Sequence, residues 1–318
     1  MRLAIYTHPA CVEHDPGRGH PESPERLTAV IQALQQAYPA AQWHEAPAAS
    51  RSQLARVHTD ALIANLLDMP IHGLQRLDAD TAMSAQSPEA ALRGAGAAIA
   101  AVDAVIAGDT QRAFCATRPP GHHATADTAM GFCLFNHVAV AAAHALEQHG
   151  LTRVAIADFD VHHGNGTQDI FAADPRVLYL SSHQSPLYPG TGAAAEHGVG
   201  NIVNAPLPPR SGSDAFRAAW TQQLLPALDT FRPELLLVSA GFDAHRLDPL
   251  ADLNLEADDY AWITHALCAL ADQHARGRVV SLLEGGYSLT ALRECSVAHA
   301  RALLSDTQRT DQPMIVID

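Results

Sequence analysis

Six short runs of aliphatic and β-branched residues, RLAIYT (2–7), AFCAT (113–117), RVAIAD (153–158), VLYLSS (177–182), ELLLVSA (234–240) and RVVSLLE (278–284), are spaced along the chain by long amphipathic stretches. Runs this apolar make strands buried on both faces, and helical crossovers between them make those strands parallel. The pattern predicts an α/β fold with a mainly parallel central sheet covered by helices on both faces. Ser23-Pro24-Glu25 and Ser87-Pro88-Glu89 each offer an N-cap hydroxyl, a proline at the first helical position and an acid in the first turn, so helices are predicted to start there. Further helices are predicted over 136–149, 213–230, 256–275 and 288–304, and 184–212 reads as a long Gly-, Pro- and Ser-rich loop, a candidate for function. No internal repeat or linker interrupts the 318 residues, so the expectation is one domain over 1–318, with 306–318 as a tail of no readable role.

Dense polar clusters follow four of these strands: RPPGHHA after 113–117, DFDVHHGNG at the end of 153–158, AGFDAHRLDP after 234–240 and EGGYS after 278–284. In an open α/β sheet the ligand crevice lies outside the carboxyl ends of the strands, so four clusters distant in the chain can meet in one site. Asp160 and His162, two apart on an extended segment, point to one side, and Asp243 is placed to complete the set. Two carboxylates and one imidazole leave an open position on a tetrahedral zinc ion, the mark of a catalytic site. Such a metal lowers the pKa of bound water to about 7 and polarises a carbonyl. Taken singly, either aspartate is more simply a helix cap or a turn residue.

His122 and His123 sit on a loop sharpened by two prolines and a glycine, where imidazoles can act as general acid and base. Asp158 and Asn165 are natural partners for their second nitrogens, one charged and one neutral, so the two rings can divide the labour. Tyr287, after two glycines, can donate to a developing oxyanion. Gly131 and Phe132 in GFCLF, with Tyr188 in PLYPGTG, can line a slot for an aliphatic chain. The GTG at 190–192 lacks the strand, helix and acid of a dinucleotide site.

Composition narrows the chemistry. Every basic residue is arginine, which excludes Schiff-base, pyridoxal-phosphate and P-loop lysines, and the formal charge of −14 opposes nucleic-acid binding. Cys11, Cys115, Cys133, Cys268 and Cys295 are scattered and odd in number, as expected of reduced thiols in the cytoplasm. No apolar stretch reads as long enough to cross a bilayer, and the start lacks a secretory pattern, so no membrane association is expected. The isolated His44, His72, His149 and His274 read as surface or loop residues.

Together GHPESPERL, RPPGHHA, GFCLFNHVAVAA, DFDVHHGNGTQDIF, LYPGTG, NAPLPP, SAGFDAHRLDPL and LEGGYSL, in order from 19 to 289, resemble the histone deacetylase family and specifically its class II-like bacterial members. The resemblance implies a three-layer arginase/deacetylase-type fold and one catalytic zinc on Asp160, His162 and Asp243. It implies His122 and His123 as the paired histidines, Asp158 and Asn165 as their partners, and Tyr287 as the carbonyl-polarising phenol. Phe132 and Tyr188 would flank an acyl-lysine channel with Gly131 at its floor, and Asp80 would contact substrate near its rim. Leu250 stands where a polyamine-specific relative carries a glutamate. A K⁺ or Na⁺ ion would use main-chain oxygens of Asp158, Asp160 and His162 with Ser181. The implied reaction is hydrolysis of an acyl-lysine amide by metal-activated water. Alternatives are an acetylpolyamine or other small-amide amidohydrolase on the same site, and a non-catalytic zinc protein that binds acylated partners. The sequence does not fix the oligomeric state.

Overall fold

Alternation within the apolar runs decides which face of the sheet each side chain serves. In the strand Leu235–Ala240, Leu235 and Leu237 join one core cluster while Leu236, Val238 and Ala240 join another on the opposite face. The computed structural model describes residues 3–305, so the tail 306–318 lies outside the described residues. Its strands are β1 (Ala4–Thr7), β2 (Gln42–Glu45), β3 (Gln75–Arg76), β4 (Ala82–Met83), β5 (Arg112–Cys115), β6 (Val154–Asp158), β7 (Val177–Gln184), β8 (Ile202–Leu207), β9 (Leu235–Ala240) and β10 (Val279–Leu283). Eight of them form one sheet in the order β2-β1-β5-β10-β9-β6-β7-β8, parallel at every pairing, and β3 with β4 makes a separate antiparallel hairpin.

Helices Ser87–Ala107 and His137–His149 pack on one face, and Pro24–Ala37, Ala257–His274 and Leu289–Leu304 on the other, giving three layers. Helix Ser87–Ala107 corrects one expectation, because by length and composition it is apolar enough to cross a membrane. It is nevertheless a core helix, 61% buried over its most apolar window. Small residues let it pack closely: a Cβ at Gly96 would lie 1.8 Å from the Pro47 carbonyl oxygen.

The expected loop 184–212 contains β8, an edge strand with Pro206 where no further neighbour needs its missing N–H. The expected helix 213–230 is broken into Ser213–Ala219, a π turn at Trp220–Leu224 and Leu225–Phe231. Leu225 N–H donates to Trp220 O, five residues back, just before Pro226, which has no N–H to continue the ladder. His44 lies on β2, stacked on Tyr6, while His149 and His274 close helices and bond to aspartates, so these three are more engaged than loop residues. The five cysteines are free and buried.

Candidate metal centre and active site

Asp158 is the last residue of β6, and its Oδ1 accepts the Asp160 N–H at 3.1 Å as the chain leaves the sheet. Asp160 Oδ1 in turn accepts the His162 N–H at 2.9 Å. Asp243 follows β9, which pairs with β6, and its Oδ1 accepts the Val161 N–H at 2.8 Å. These turns bring His162 Nδ1 to 3.1 Å from Asp160 Oδ1 and 3.2 Å from Asp243 Oδ2. One ligand atom from each of the three buried residues lies within 4.8 Å of the others. Main chain closes in on both carboxylates: a Cβ at Gly241 would lie 2.0 Å from Asp160 Oδ2, and one at Gly285 would lie 2.0 Å from Asp243 Oδ2. Gly285 N–H also donates to Asp160 Oδ2 at 2.8 Å.

Burial opposes charge on His162, yet its bonds to Asp160 and Asp243 outweigh burial and push the ring up to about 10. A pocket that favours imidazolium so strongly has the negative field a divalent cation would neutralise. The donor set of two carboxylates and one imidazole, with room kept by glycines, fits a catalytic zinc.

The paired histidines follow β5 and differ in their partners. His122 Nδ1 lies 2.9 Å from Asp158 Oδ2, which also accepts the Tyr179 hydroxyl at 3.0 Å. Burial works against its charge, but Asp158, Asp160 and Glu284 win and push His122 up to about 10. His123 Nδ1 lies 2.8 Å from Asn165 Oδ1, and Asn165 Nδ2 reaches His123 O and Met130 Sδ, both at 3.4 Å. With the amide oriented that way its oxygen can only accept, so His123 holds its proton on Nδ1 and keeps a lone pair on Nε2. Burial, reinforced by His122 and His162, holds its pKa well below the ordinary value.

Glu284, which ends the β10 segment, fixes the loop from beneath: its Oε2 accepts Gly121 N–H at 2.7 Å and His122 N–H at 3.2 Å, and Oε1 accepts the Ser239 hydroxyl at 3.2 Å. Arg26 donates to the carbonyls of Glu284 and Gly286 at 2.6 and 2.5 Å, and its guanidinium lies 4.8 Å from the Tyr287 ring centre. Tyr287 N–H donates to Asp248 Oδ2 at 2.7 Å. Burial lifts the phenol well above its ordinary value, so it stays a donor.

A cavity of about 210 Å³ opens over this group, bordered by Asp80, Gly131, Phe132, Tyr188 and Leu250, together with His123, His162 and Tyr287. Leu187 is an addition that sequence reasoning did not name. Phe132 adopts φ 67°, its N–H held by Thr81 Oγ1 at 3.1 Å, and a Cβ at Gly131 would lie 2.5 Å from the His123 ring. Ser181 is buried on β7, in register with Asp158, its hydroxyl 2.9 Å from His183 Nδ1. Glu284, Arg26 and Tyr179 were missed. Glu284 stood in the quoted EGGYS and Arg26 in the quoted GHPESPERL without being given a role, whereas Tyr179 lies inside a strand that carries no local sign of a site.

The profile of the histone deacetylase domain matches residues 20–303. The chain is 42% identical over 287 residues to a histone deacetylase-like amidohydrolase of Pseudomonas aeruginosa, covering 88% of this chain and 76% of that one. It is 38% identical over 340 residues to the chloroplastic histone deacetylase 14 of Arabidopsis thaliana, covering 99% and 80%. Among solved structures, the crystal structure of the HDA15 HD domain superposes with a TM-score of 0.91 at 33% identity, covering 96% of this chain and 89% of that one.

Proposed function

The chain belongs to the histone deacetylase family, and from that premise we propose that it is a zinc-dependent deacylase acting on the side chain of acyl-lysine. The carrying observation is the convergence of Asp160, His162 and Asp243 beneath a narrow cavity that His123 and Tyr287 also border. At about 210 Å³ this cavity is smaller than sites for drug-sized ligands and suits a slender aliphatic chain.

Zinc on the three ligands, when bound, would supply a Lewis acid for the acyl carbonyl and acidify the attacking water. The phenol of Tyr287 donates a hydrogen bond to the acyl oxygen as negative charge develops there. His123 Nε2 takes the proton of the attacking water and passes it to the leaving amine. His122, charged against Asp158, adds electrostatic stabilisation without exchanging that proton. Phe132 and Tyr188 flank the aliphatic stem, and Leu250 offers an apolar wall where a cationic polyamine would gain from an acid. A potassium or sodium ion on main-chain oxygens of Asp158, Asp160 and His162, with Ser181, belongs to the same proposal.

Tyr287→Phe and His123→Ala test the reading. Each is expected to cut turnover of an acetyl-lysine reporter by ~10²–10³ while zinc content, measured by mass spectrometry of the intact protein, stays at the wild-type level. Undiminished turnover in either variant overturns the assignment. A higher kcat/KM on acetylputrescine than on acetyl-lysine peptide would instead favour the small-amide alternative.

A further inference from the structure

The wall of the acyl cavity formed by Leu187 and Tyr188 belongs to an irregular segment, 185–200, that follows β7. No ladder of strand or helix bonds holds this segment, yet the Tyr188 ring sits edge-on to His123 and His162, with centroids 5.2 and 6.3 Å apart. Its fastening begins three residues further on. Gly192 is buried with φ 86°, and a Cβ there would lie 2.6 Å from the rings of both His163 and His183. Only glycine brings the chain so close in that conformation. His183 Nε2 lies 3.0 Å from Gly192 O, a group that can only accept, so the proton is on Nε2 and Nδ1 accepts the Ser181 hydroxyl at 2.9 Å.

Glu196 sets the direction of the remaining bonds. Its carboxylate accepts the N–H groups of Gly192 and Ala193 at 3.2 and 3.0 Å and the side-chain amide of Gln168, on helix Asn165–Phe171. Because a carboxylate only accepts, Gln168 turns its NH₂ to Glu196 and its Oε1 to His163 Nε2 and Asn204 Nδ2, at 2.9 and 2.8 Å. His163 therefore carries its proton on Nε2 and accepts the Thr191 hydroxyl on Nδ1 at 2.8 Å. The donors run one way, from Thr191 to His163 to Gln168 to Glu196, and the circuit closes because Thr191 and Glu196 share a loop. Burial opposes the charge at its end, but the bonds from Gln168, Ala193 and Gly192 outweigh burial and hold Glu196 below the usual carboxylate range. His163 directly follows the candidate ligand His162, so the loop that carries Tyr188 is tied to the segment that carries that ligand.

We propose that Glu196 is a positioning residue for substrate: through Gln168 and His163 it holds the Leu187–Tyr188 wall at the separation from His162 that grips an aliphatic stem. It acts through its neighbours, apart from the stem and the reacting atoms. The inference rests on the acyl-lysine reading and adds the residue that keeps its channel narrow. Loosening the wall costs binding more than chemistry, because His123 is fixed by Asn165 and Tyr287 by Asp248, outside this circuit.

The test uses the full-length, zinc-loaded protein and an acetyl-lysine peptide. Glu196→Gln is expected to raise KM about five- to tenfold, the worth of one charge-assisted hydrogen bond, with kcat unchanged. Gln168→Glu, which sets two carboxylates face to face, should do the same. The swap Gln168→Glu/Glu196→Gln restores one donor against one acceptor and should recover most of the lost KM. In a Leu187→Ala/Tyr188→Ala background Glu196→Gln should add nothing, since the wall it positions is gone. An unchanged KM, a matching fall in kcat, loss of zinc, failure of the swap, or an undiminished effect in the double-alanine background overturns the proposal. Binding of the peptide to Tyr287→Phe by fluorescence anisotropy, with and without Glu196→Gln, separates the two readings. Binding weakened by Glu196→Gln, where the wild type shows no turnover, would sink the deacylase reading and keep the role of Glu196. Turnover by the wild type with binding indifferent to Glu196 would do the reverse, and absence of both binding and turnover would sink both.

Discussion

Among the described residues, two places gather carboxylate and imidazole atoms within 4.8 Å of one another, and they are built in opposite ways. Asp160, His162 and Asp243 are all buried, and one imidazole nitrogen lies between two carboxylates. Asp103, His144 and His149 sit on the facing helices Ser87–Ala107 and His137–His149, where a single aspartate oxygen meets Nε2 of both rings at 2.7 and 2.6 Å. Arg56 donates to His144 Nδ1 at 2.7 Å. Arginine can only donate, so the His144 proton sits on Nε2, where a metal would need a lone pair. The second group is a hydrogen-bonded clasp between helices. Similar residue types at similar distances therefore differ in the chemistry open to them through where their protons lie and how much water reaches them.

The largest test of this contrast is Asp243→Asn. It should strip bound zinc and lower turnover by more than about 100-fold, since even residues that only support metal ligands cost 10–100-fold. Zinc per chain and rate on an acetyl-lysine reporter decide it, and full retention of zinc would break the comparison at its stronger end.

Acid sensitivity comes next and asks whether buried imidazoles away from the centre stay neutral. Burial, the leading cause in each case, holds His58 down to about 4 and His137 and His299 down to about 3. Unfolded imidazole titrates at about 6.5, so between there and these values the unfolded chain binds protons that the fold refuses. Stability present above pH 6.5 is thus lost as pH falls, by about 1.4 kcal/mol per pH unit for each ring. Thermal melts between pH 7.5 and 5 should show Tm dropping, and a flat profile would contradict neutral core histidines.

The smallest effect is expected at the clasp. Asp103→Asn should leave zinc content and turnover unchanged and cost no more than about 1 kcal/mol of stability, as exposed ion pairs do. Loss of a zinc equivalent there would make the clasp a second metal centre and dissolve the distinction.

The fold was legible where hydrophobic runs were long and unbroken, as in β6, β9 and β10, which are buried throughout. Strand β2, QWHE, escaped notice because an edge strand is half polar, and β8 was hidden by Pro206 inside a loop-like composition. At the site, Asp160, His162 and Asp243 stood out because each acid follows a strand end beside glycines. What the sequence could not convey was support arriving from distant elements. Glu284 beneath the His122 loop and Arg26 across the Tyr287 ring depend on sheet order, and no local pattern encodes sheet order.

That order also sets a schedule for the growing chain. Strand β10 lies between β5 and β9 although it is the last of the ten to be synthesised. Until Leu283 has left the ribosome, the molecule can hold only two half-sheets, β2-β1-β5 and β9-β6-β7-β8, each with a bare parallel edge. Asp160, His162 and Asp243 exist long before Glu284 and Tyr287 do. Insertion of the keystone strand therefore seals the sheet and brings the Tyr287 phenol to the cavity in one step, and a nascent chain stalled before it lacks that wall.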